Sequence, residues 1–588
     1  MAEIFWTSRR RKIGLISLAV AGLIISILIF FINDILSPVI ARKVKNAVIK
    51  SSDSLYQVSF RNVALNIFTG KLAFNDIRFS PDPHRSRSAT EVCSGSAKTL
   101  LITGLHPLAY LFHKRLEIGS VTLTDPNVVL TVLKATKKQL PNQAPLYKRI
   151  LGNLRLIQVN GIFVSNARLK YVDYSKPKSS AYDLKELNLN ASDLQIDSMA
   201  QRDTLRTFFC RDITAGIRGF TGFTDDGLYQ YSLRAAHFST RSEKLIVRGI
   251  VVKPLPVGSF FAKSKADRFR FDLDSLVLNH FDYRRFISDH LLKVKKLKAF
   301  NGGISVFSNP NPVLPTNDRV ITYPNFYIRT LKTRFSVDTA DISGFAVHYS
   351  ELNKEPNKTG TLNFTETKTR ILNVSNDAKM LGRHTFCTGK LSTLLMGRGK
   401  LNLSFAFNLV SKAYNYSYSG HLAPMSMTAV NPVLMPLALV KIKSGELRSV
   451  DFAIAGDKKK STGTLHFLYN DLAVDLLNRN YHYKVLKTFL ANTFLVKHDN
   501  PGNDAEQPRF AKVVYFRSKS YPFFEAVWET LLSGIKPCVG VGPSVQPEPS
   551  KPLSKKEQKA IKKALKKARK AKKKADRQFQ RKLKKQGK

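Results

Sequence analysis

The sequence predicts a mainly β protein, with an antiparallel sheet and short interspersed helices between one N-terminal transmembrane helix and a disordered basic C-terminal tail. Three observations predict this arrangement. Residues 13–32 contain no charged side chain, apolar residues alternate with polar ones along much of the chain, and cations dominate residues 555–588. The first pattern is typical of a membrane span, the second of strands with one apolar face, and the third of a solvated tail.

The composition excludes two classes of protein. With 588 residues, 43% of them hydrophobic and 23% charged, the chain can bury large cores, so it is neither wholly disordered nor a small disulfide scaffold. The net charge of +51 points to anionic partners or surfaces. The four cysteines lie more than a hundred residues apart without a CxxC pair, which disfavours a structural zinc site and leaves two long-range disulfides open.

The N-terminal apolar run predicts a retained membrane anchor. Residues 13–32 match the roughly 20 apolar residues that a helix needs to cross a bilayer, whereas a cleaved signal peptide, the alternative, has a shorter apolar stretch. The cations of residues 9–12 precede the run, and Asn33 and Asp34 follow it. By the positive-inside tendency, residues 1–12 form a cytoplasmic tip and the chain after Pro38 is exported. No second run of this length occurs, so we expect a single-pass protein.

Strict alternation predicts hairpins in the exported region. Apolar side chains occupy every second position of residues 401–409 and, after a four-residue connection, of residues 414–418. A second hairpin is predicted around Thr69-Gly70, because glycine supplies the positive φ of a tight turn. Further short alternating runs begin at Phe269, Val450 and Leu465. Strands are therefore expected along the whole region.

Four segments repeat one order of features without a fixed period. Each has a short apolar helical piece, then cations, then two strand-like runs around turn residues. The segments cover residues 108–132, 147–172, 286–307 and 434–456. We expect each to fold as a helix followed by a pair of strands joined by a turn.

These features together resemble the AsmA-like envelope proteins, which are related to the TamB-type repeating β-groove proteins. The likeness rests on the basic tip and anchor, the hairpin VSFRNVALNIFTGKLAFNDI, the recurring strand pairs, and residues 420–477 with Ser444-Gly445 before a strand. It implies an N-terminal AsmA-like β-region at 33–290 and a C-terminal one at 291–536. It also implies an inner-membrane protein whose bulk is periplasmic and whose sheet curls into a taco-like β-groove, or a sandwich, with an apolar face able to hold acyl chains.

The function that this resemblance implies is support of lipid transport or outer-membrane assembly, with phospholipid or lipopolysaccharide as the partner. The main alternative is a non-catalytic structural tether or scaffold with a filled β core, and a membrane-bound envelope enzyme is less favoured. No hydrolase, phosphate-loop, dinucleotide, zinc or calcium motif occurs, so we assign no catalytic, cofactor-binding or metal-binding residues. The GDKKKSTG run at 456–463 is expected to be a solvated hairpin turn, with a phosphate-binding loop as the less favoured alternative.

The C-terminal region divides into three pieces. Residues 520–534 predict an amphipathic helix that stops at Gly534 and packs on the β-region, with Glu525 and Glu529 on the opposite, polar side. Its alternatives are contact with a membrane interface and closure of one end of a groove. Residues 537–554 form a proline-rich linker, and the tail at 555–588 follows it.

The basic tail is expected to bind an anionic surface. From Lys551 onwards the chain carries 19 Lys and Arg residues against two acidic ones, which is +17 of the total charge. An exported tail would meet anionic headgroups, and the inferred orientation disfavours nucleic acid as a partner. A solubilising tail without a fixed partner is the alternative. The candidate contacts are Lys562, Lys563, Lys566, Lys567, Lys572, Lys573 and Lys574.

Overall fold

The computed structural model describes residues 37–50, 52, 54–86, 89–133, 146–151, 154–175, 180–309, 318–353, 356–478, 496–503 and 506–541. The predicted anchor at 13–32 and the polybasic tail at 555–588 lie outside these residues, as do the seven candidate lysines of the tail. Among the described residues, every helix is too short or too polar to cross a bilayer.

The mainly β fold is confirmed. The described residues contain 22 strands that belong to one sheet. The strands are β1 (Tyr56–Ser59), β2 (Asn62–Asn66), β3 (Lys71–Pro81), β4 (Glu91–Thr103), β5 (Arg115–Thr124), β6 (Asn127–Val132), β7 (Leu156–Asp173), β8 (Ser180–Ile196), β9 (Asp212–Phe223), β10 (Tyr229–Ser239), β11 (Lys244–Pro254), β12 (Arg268–Phe281), β13 (Leu291–Ser308), β14 (Arg334–Asn353), β15 (Lys358–Ser375), β16 (Phe386–Leu395), β17 (Gly399–Asn408), β18 (Tyr416–Leu422), β19 (Met425–Ser426), β20 (Val440–Gly456), β21 (Lys460–Leu476) and β22 (Phe510–Phe516).

The sheet follows the order of the chain. Each described strand pairs with strands at most two places away in sequence, so the sheet runs from β1 at one edge to β22 at the other. The prediction of a purely antiparallel sheet is wrong at two places. Strands β5 and β6 pair with β7 in parallel, and β13 pairs with β14 in parallel. In both cases the connection contains a helix, which returns the chain to the end of the sheet where the previous strand began.

Short helices lie between the strands. Residues 37–50 are helical (α1) and precede the sheet. The others are α2 (Pro107–His113), α3 (Leu146–Leu151), α4 (Val257–Lys263), α5 (Tyr283–Asp289), α6 (Pro324–Thr330), α7 (Ala378–Leu381), α8 (Asn431–Ala438) and α9 (Phe523–Cys538). Helices α2, α5 and α8 each end at a left-handed residue and lead directly into a strand. This shared geometry is the structural basis of the repeated order seen in the sequence.

The prediction of a turn-linked strand pair in each of the four repeated segments is wrong. In each segment the helix is present, but the two runs after it occupy one position in the sheet. In residues 108–132 they are β5 and β6, which both pair with β4 and β7. In the other three segments they form the single long strands β7, β13 and β20. Where turns were expected, the structure has single residues with positive φ. These are Asp125 between β5 and β6, Asn166 in β7, Asn301 in β13 and Gly445 in β20. They interrupt or bend the strand without reversing it.

The predicted hairpins are confirmed. Strands β17 and β18 pair antiparallel with Phe407 opposite Tyr416, and β2 and β3 flank a turn in which Gly70 has a φ of 58°. The basic run at 456–463 contains the turn between β20 and β21. There Asp457 Oδ1 accepts hydrogen bonds from the backbone N–H of Lys459 (2.6 Å) and Lys460 (3.0 Å).

Two hydrophobic clusters lie on the sheet. The smaller one packs β10–β15 beneath α5 and includes Phe281, Tyr283 and Val294. The larger one gathers side chains of β16–β22 with α8 and α9. All four cysteines are free thiols, so neither long-range disulfide forms. The larger cluster contains the site described next.

Candidate functional site

Helix α9 crosses one face of the sheet near the edge that β22 forms. Its small residues Ala526, Thr530 and Gly534 are buried, and the Thr530 hydroxyl donates to the Ala526 carbonyl (2.6 Å). A Cβ on Gly534 would lie 2.8 Å from Val513 Cγ2 of β22, so a glycine is required at this contact. The helix therefore does not stop at Gly534, as the sequence had suggested. Gly534 has an ordinary helical backbone, and the chain continues in the helix to Cys538.

An apolar cavity of about 460 Å³ lies between α9 and the sheet. The sheet side of its wall comes from β14–β18, β20 and β21, and residues near α8 add to it. The helix contributes Phe523, Phe524, Val527, Trp528, Leu531 and Ile535. Aliphatic and aromatic side chains form nearly all of the wall, so the cavity offers dispersion contacts and burial of apolar surface but few hydrogen bonds.

Two of the three hydroxyls in the wall are satisfied locally, whereas the buried Tyr418 hydroxyl has no hydrogen-bond partner among the described residues. The hydroxyls of Thr367 and Thr393 are hydrogen-bonded to each other (2.9 Å), and Thr393 Oγ1 also lies 2.9 Å from the Thr365 carbonyl. Because these groups are already bonded, a polar ligand would gain no new partner from them and would lose its hydration. Apart from the Tyr418 hydroxyl, the interior of the cavity therefore suits a hydrocarbon.

Glycines opposite aromatic residues shape the sheet side of the cavity. Gly389 of β16 lies opposite Phe405 of β17, and a Cβ on Gly389 would be 2.3 Å from the ring of Phe405. The ring thus lies over the glycine backbone. Phe452 of β20 covers Gly420 of β18 in the same way, with a corresponding distance of 2.5 Å. Large rings can therefore lie flat along the wall.

One end of the cavity reaches the surface at Phe524. This side chain lines the cavity and is also 38% exposed. Its ring centroid lies 5.1 Å from that of Tyr349 on β14 and 6.5 Å from that of Phe364 on β15. The opposite end of α9 is buried: Cys538 is fully buried, and its carbonyl accepts a hydrogen bond from Arg509 Nε (2.9 Å).

Carboxyl groups surround the open end. Burial, together with the negative charges of Glu351 and Glu529, raises the pKa of Glu525 to about 8, while Arg319 opposes this shift. Burial also raises the pKa of Glu351, although the Tyr349 hydroxyl donates to Glu351 Oε2 (3.0 Å). The sequence had placed Glu525 and Glu529 on the solvent side of the helix. Both are half-buried instead, and only the fold brings them near Glu351 of β14.

The opposite face of the sheet carries a wide, shallow depression of about 1130 Å³ across β13–β21. Its lining includes many small polar side chains and the cations Lys298, Lys368, Arg370 and Lys390. Some of these charges are already paired, since Asp341 binds Arg370 Nε (2.6 Å) and Lys296 Nζ (3.2 Å). These bonds, and first the one to Arg370, lower the pKa of Asp341.

One group of possible metal ligands occurs among the described residues: Asp471, His498 and Asp499. His498 Nδ1 lies 2.8 Å from Asp499 Oδ2, and its Nε2 lies 3.9 Å from Asp471 Oδ1. Both ring nitrogens thus face carboxylates, and the hydrogen bond to Asp499 raises the pKa of His498. This arrangement is that of an exposed ion-pair cluster, so we assign no metal to it.

No protein-family model matches this chain, and no curated protein sequence is significantly similar to it.

Proposed function

We propose that the protein binds the acyl chains of membrane lipids on the apolar face of its sheet and supports lipid transport or outer-membrane assembly. The observation that carries this proposal is the cavity beneath α9, whose wall is almost entirely aliphatic and aromatic. Pockets of this size commonly hold small molecules, and an apolar wall selects a hydrocarbon ligand. The resemblance to AsmA-like proteins in residues 10–135 and 420–477 leads to the same class of ligand.

The proposal includes a sheet that curls into a groove, which the reach of α9 supports. Phe524 contacts β14, whereas Gly534 contacts β22, seven sheet positions away. Adjacent strands lie ~4.8 Å apart, so these strands would be separated by ~34 Å in a flat sheet. Ten residues of helix span only ~15 Å. Curvature of the sheet brings both strands within reach of one short helix.

The proposed setting is a membrane. Residues 13–32 would anchor the chain in the inner membrane with the sheet on the periplasmic side, and the tail at 555–588 would bind an anionic lipid surface. In this arrangement the apolar face lies between two attachment points. Lipid chains could then enter from a membrane held nearby.

Native mass spectrometry with lipid extraction tests the proposal on the full chain, purified in a mild detergent from its own membranes. We expect stoichiometric phospholipid or lipopolysaccharide with the unaltered protein. Leu403→Trp would fill part of the cavity and should lose this lipid. Asn402→Trp is the matched control, because its exposed side chain lies on the opposite face of the same strand and should leave the lipid bound.

Lipid-free protein in all three preparations would contradict the proposal. It would favour the structural tether, in which protein side chains alone fill the apolar face. Equal lipid content in the two Trp variants would instead place the bound lipid away from this cavity.

A further inference from the structure

The size of the cavity limits its occupant to one chain. A methylene group takes up about as much space as a water molecule in the liquid, ~30 Å³. The volume of about 460 Å³ therefore holds ~15 methylene groups. Two acyl chains of membrane length would need about twice this volume.

We infer that the cavity beneath α9 takes a single linear hydrocarbon chain of about fifteen carbons, with its polar head at the Phe524 end. This inference rests on the proposed function and narrows its ligand. A two-chain lipid would insert one chain here and keep the other outside, whereas a one-chain lipid would be enclosed except for its head.

The direction of insertion follows from the two ends of α9. Phe524 is part of the wall and is also exposed, while Cys538 at the other end is fully buried. A charged head cannot enter the interior because its hydration would not be replaced there. The head therefore remains beside Phe524, and the end of the chain lies toward Ile535.

The charges at the open end limit the kind of head. Glu351, Glu525 and Glu529 lie on this side, and the nearby cation Arg319 is already paired with Asp267 (3.3 Å). The place is poorly hydrated and already resists negative charge, because burial and the neighbouring carboxyl groups raise the pKa of Glu525 there. An ammonium group beside them would favour their ionised form, whereas a further anion would oppose it. A zwitterionic head with an ammonium group is favoured over a net anionic head.

The chain has two tryptophans, Trp6 and Trp528, and Trp528 lines the cavity. In the full chain with Trp6→Phe, tryptophan fluorescence therefore comes from the cavity alone. Lysophosphatidylethanolamines brominated near the chain end, with chains from 10 to 20 carbons, should quench Trp528 fluorescence. We expect affinity to increase about fourfold per methylene up to about fifteen carbons and then to level off.

A second set of measurements tests single occupancy. Native mass spectrometry should show one lysolipid per protein, and a diacyl lipid should bind with the same stoichiometry. Val527→Phe adds bulk to the wall and should move the levelling point to shorter chains. Two lysolipids per cavity, or an affinity that keeps increasing up to 20 carbons, would overturn the inference.

The head group is tested at a constant chain length of 16 carbons. Lysophosphatidylglycerol, which is net anionic, should bind more weakly than lysophosphatidylethanolamine, and Glu351→Gln with Glu525→Gln should reduce the difference. Tighter binding of the anionic lipid would contradict the inferred head.

If no lipid of any length quenches Trp528, the proposed function fails as well, whereas quenching without a length limit removes only the single-chain inference.

Discussion

At the scale of single residues, Glu525 combines burial with negative neighbours. Its carboxyl lies half-buried beside the open end of an apolar cavity, with Glu351 and Glu529 near it. Burial disfavours the ionised form most strongly, and the neighbouring charges act in the same direction. The protonated form is therefore favoured in the folded protein at neutral pH.

Glu525 should make the stability of the protein depend on pH. Its pKa is about 8 in the folded protein and 4.5 when unperturbed, so the folded state holds the proton more tightly. The free energy of unfolding should decrease as pH rises from about 4.5 to about 8 and should then level off. Glu525→Gln should remove this decrease, with a gain of ~1–3 kcal/mol at pH 9 and little change at pH 4.

Thermal unfolding of the full chain at several pH values measures this effect. Glu446→Gln is the control, because Glu446 is exposed on β20. Identical pH profiles for the two variants would show that Glu525 is not the responsible group.

At the scale of elements, the sequence predicted the presence of strands better than their connections. Alternation located β12, β17, β20 and β21, because a strand with one apolar face has a local pattern. It could not distinguish a hairpin from a long bent strand. Asp125 and Asn301 adopt positive φ inside continuous strand positions, and the same residue types also form tight turns. Only pairing with neighbouring strands decides between the two.

The candidate site was predictable only in part. The apolar positions of α9 follow from their helical spacing, but the cavity depends on side chains of β14–β21, which come from many strands. Gly534 is an example of a feature that the sequence could not predict. A glycine near the end of a helix usually indicates a stop, whereas here it allows contact with Val513 and Leu465. That contact joins residues far apart in sequence and has no local signal.

Gly534→Ala should destabilise the protein, although alanine favours helices. The added methyl group would lie 2.8 Å from Val513 Cγ2 and 3.0 Å from Leu465 Cβ. We expect a loss of ~1–3 kcal/mol in the free energy of unfolding, as overpacking generally causes. Gly258→Ala in α4 is the control, since nothing lies within 4 Å of its added methyl group. It should change stability by less than ~1 kcal/mol, in the stabilising direction. Denaturant unfolding compares the two, and equal effects would contradict the packing role of Gly534.

At the scale of the whole molecule, charge is concentrated at one end of the chain. The residues from Lys551 onwards hold +17 of the net charge of +51. Each cation near an anionic membrane contributes on the order of 1 kcal/mol before screening by salt. The tail is therefore the segment that we expect to hold a second membrane.

Removal of residues 555–588 should abolish most binding to anionic vesicles. The full chain, held in nanodiscs of zwitterionic lipid, should capture vesicles that contain phosphatidylglycerol, and this capture should weaken steeply with salt. Replacing the seven candidate lysines, 562, 563, 566, 567, 572, 573 and 574, with glutamine should have nearly the same effect as the deletion. Zwitterionic vesicles are the control. Undiminished capture by the deleted chain would assign the binding to another surface.

The order of the sheet also bears on how the protein assembles. Because each described strand pairs with strands at most two places away, a strand that leaves a ribosome or a translocation channel finds its partner already in place. Closing such short loops costs little entropy, so the sheet can grow from its first strand to its last. Helix α9 differs from the strands in this respect, since its N-terminal end packs on β14, more than 170 residues earlier. The wall of the cavity thus exists before its cover is made, and closing the cavity is one of the last steps of folding.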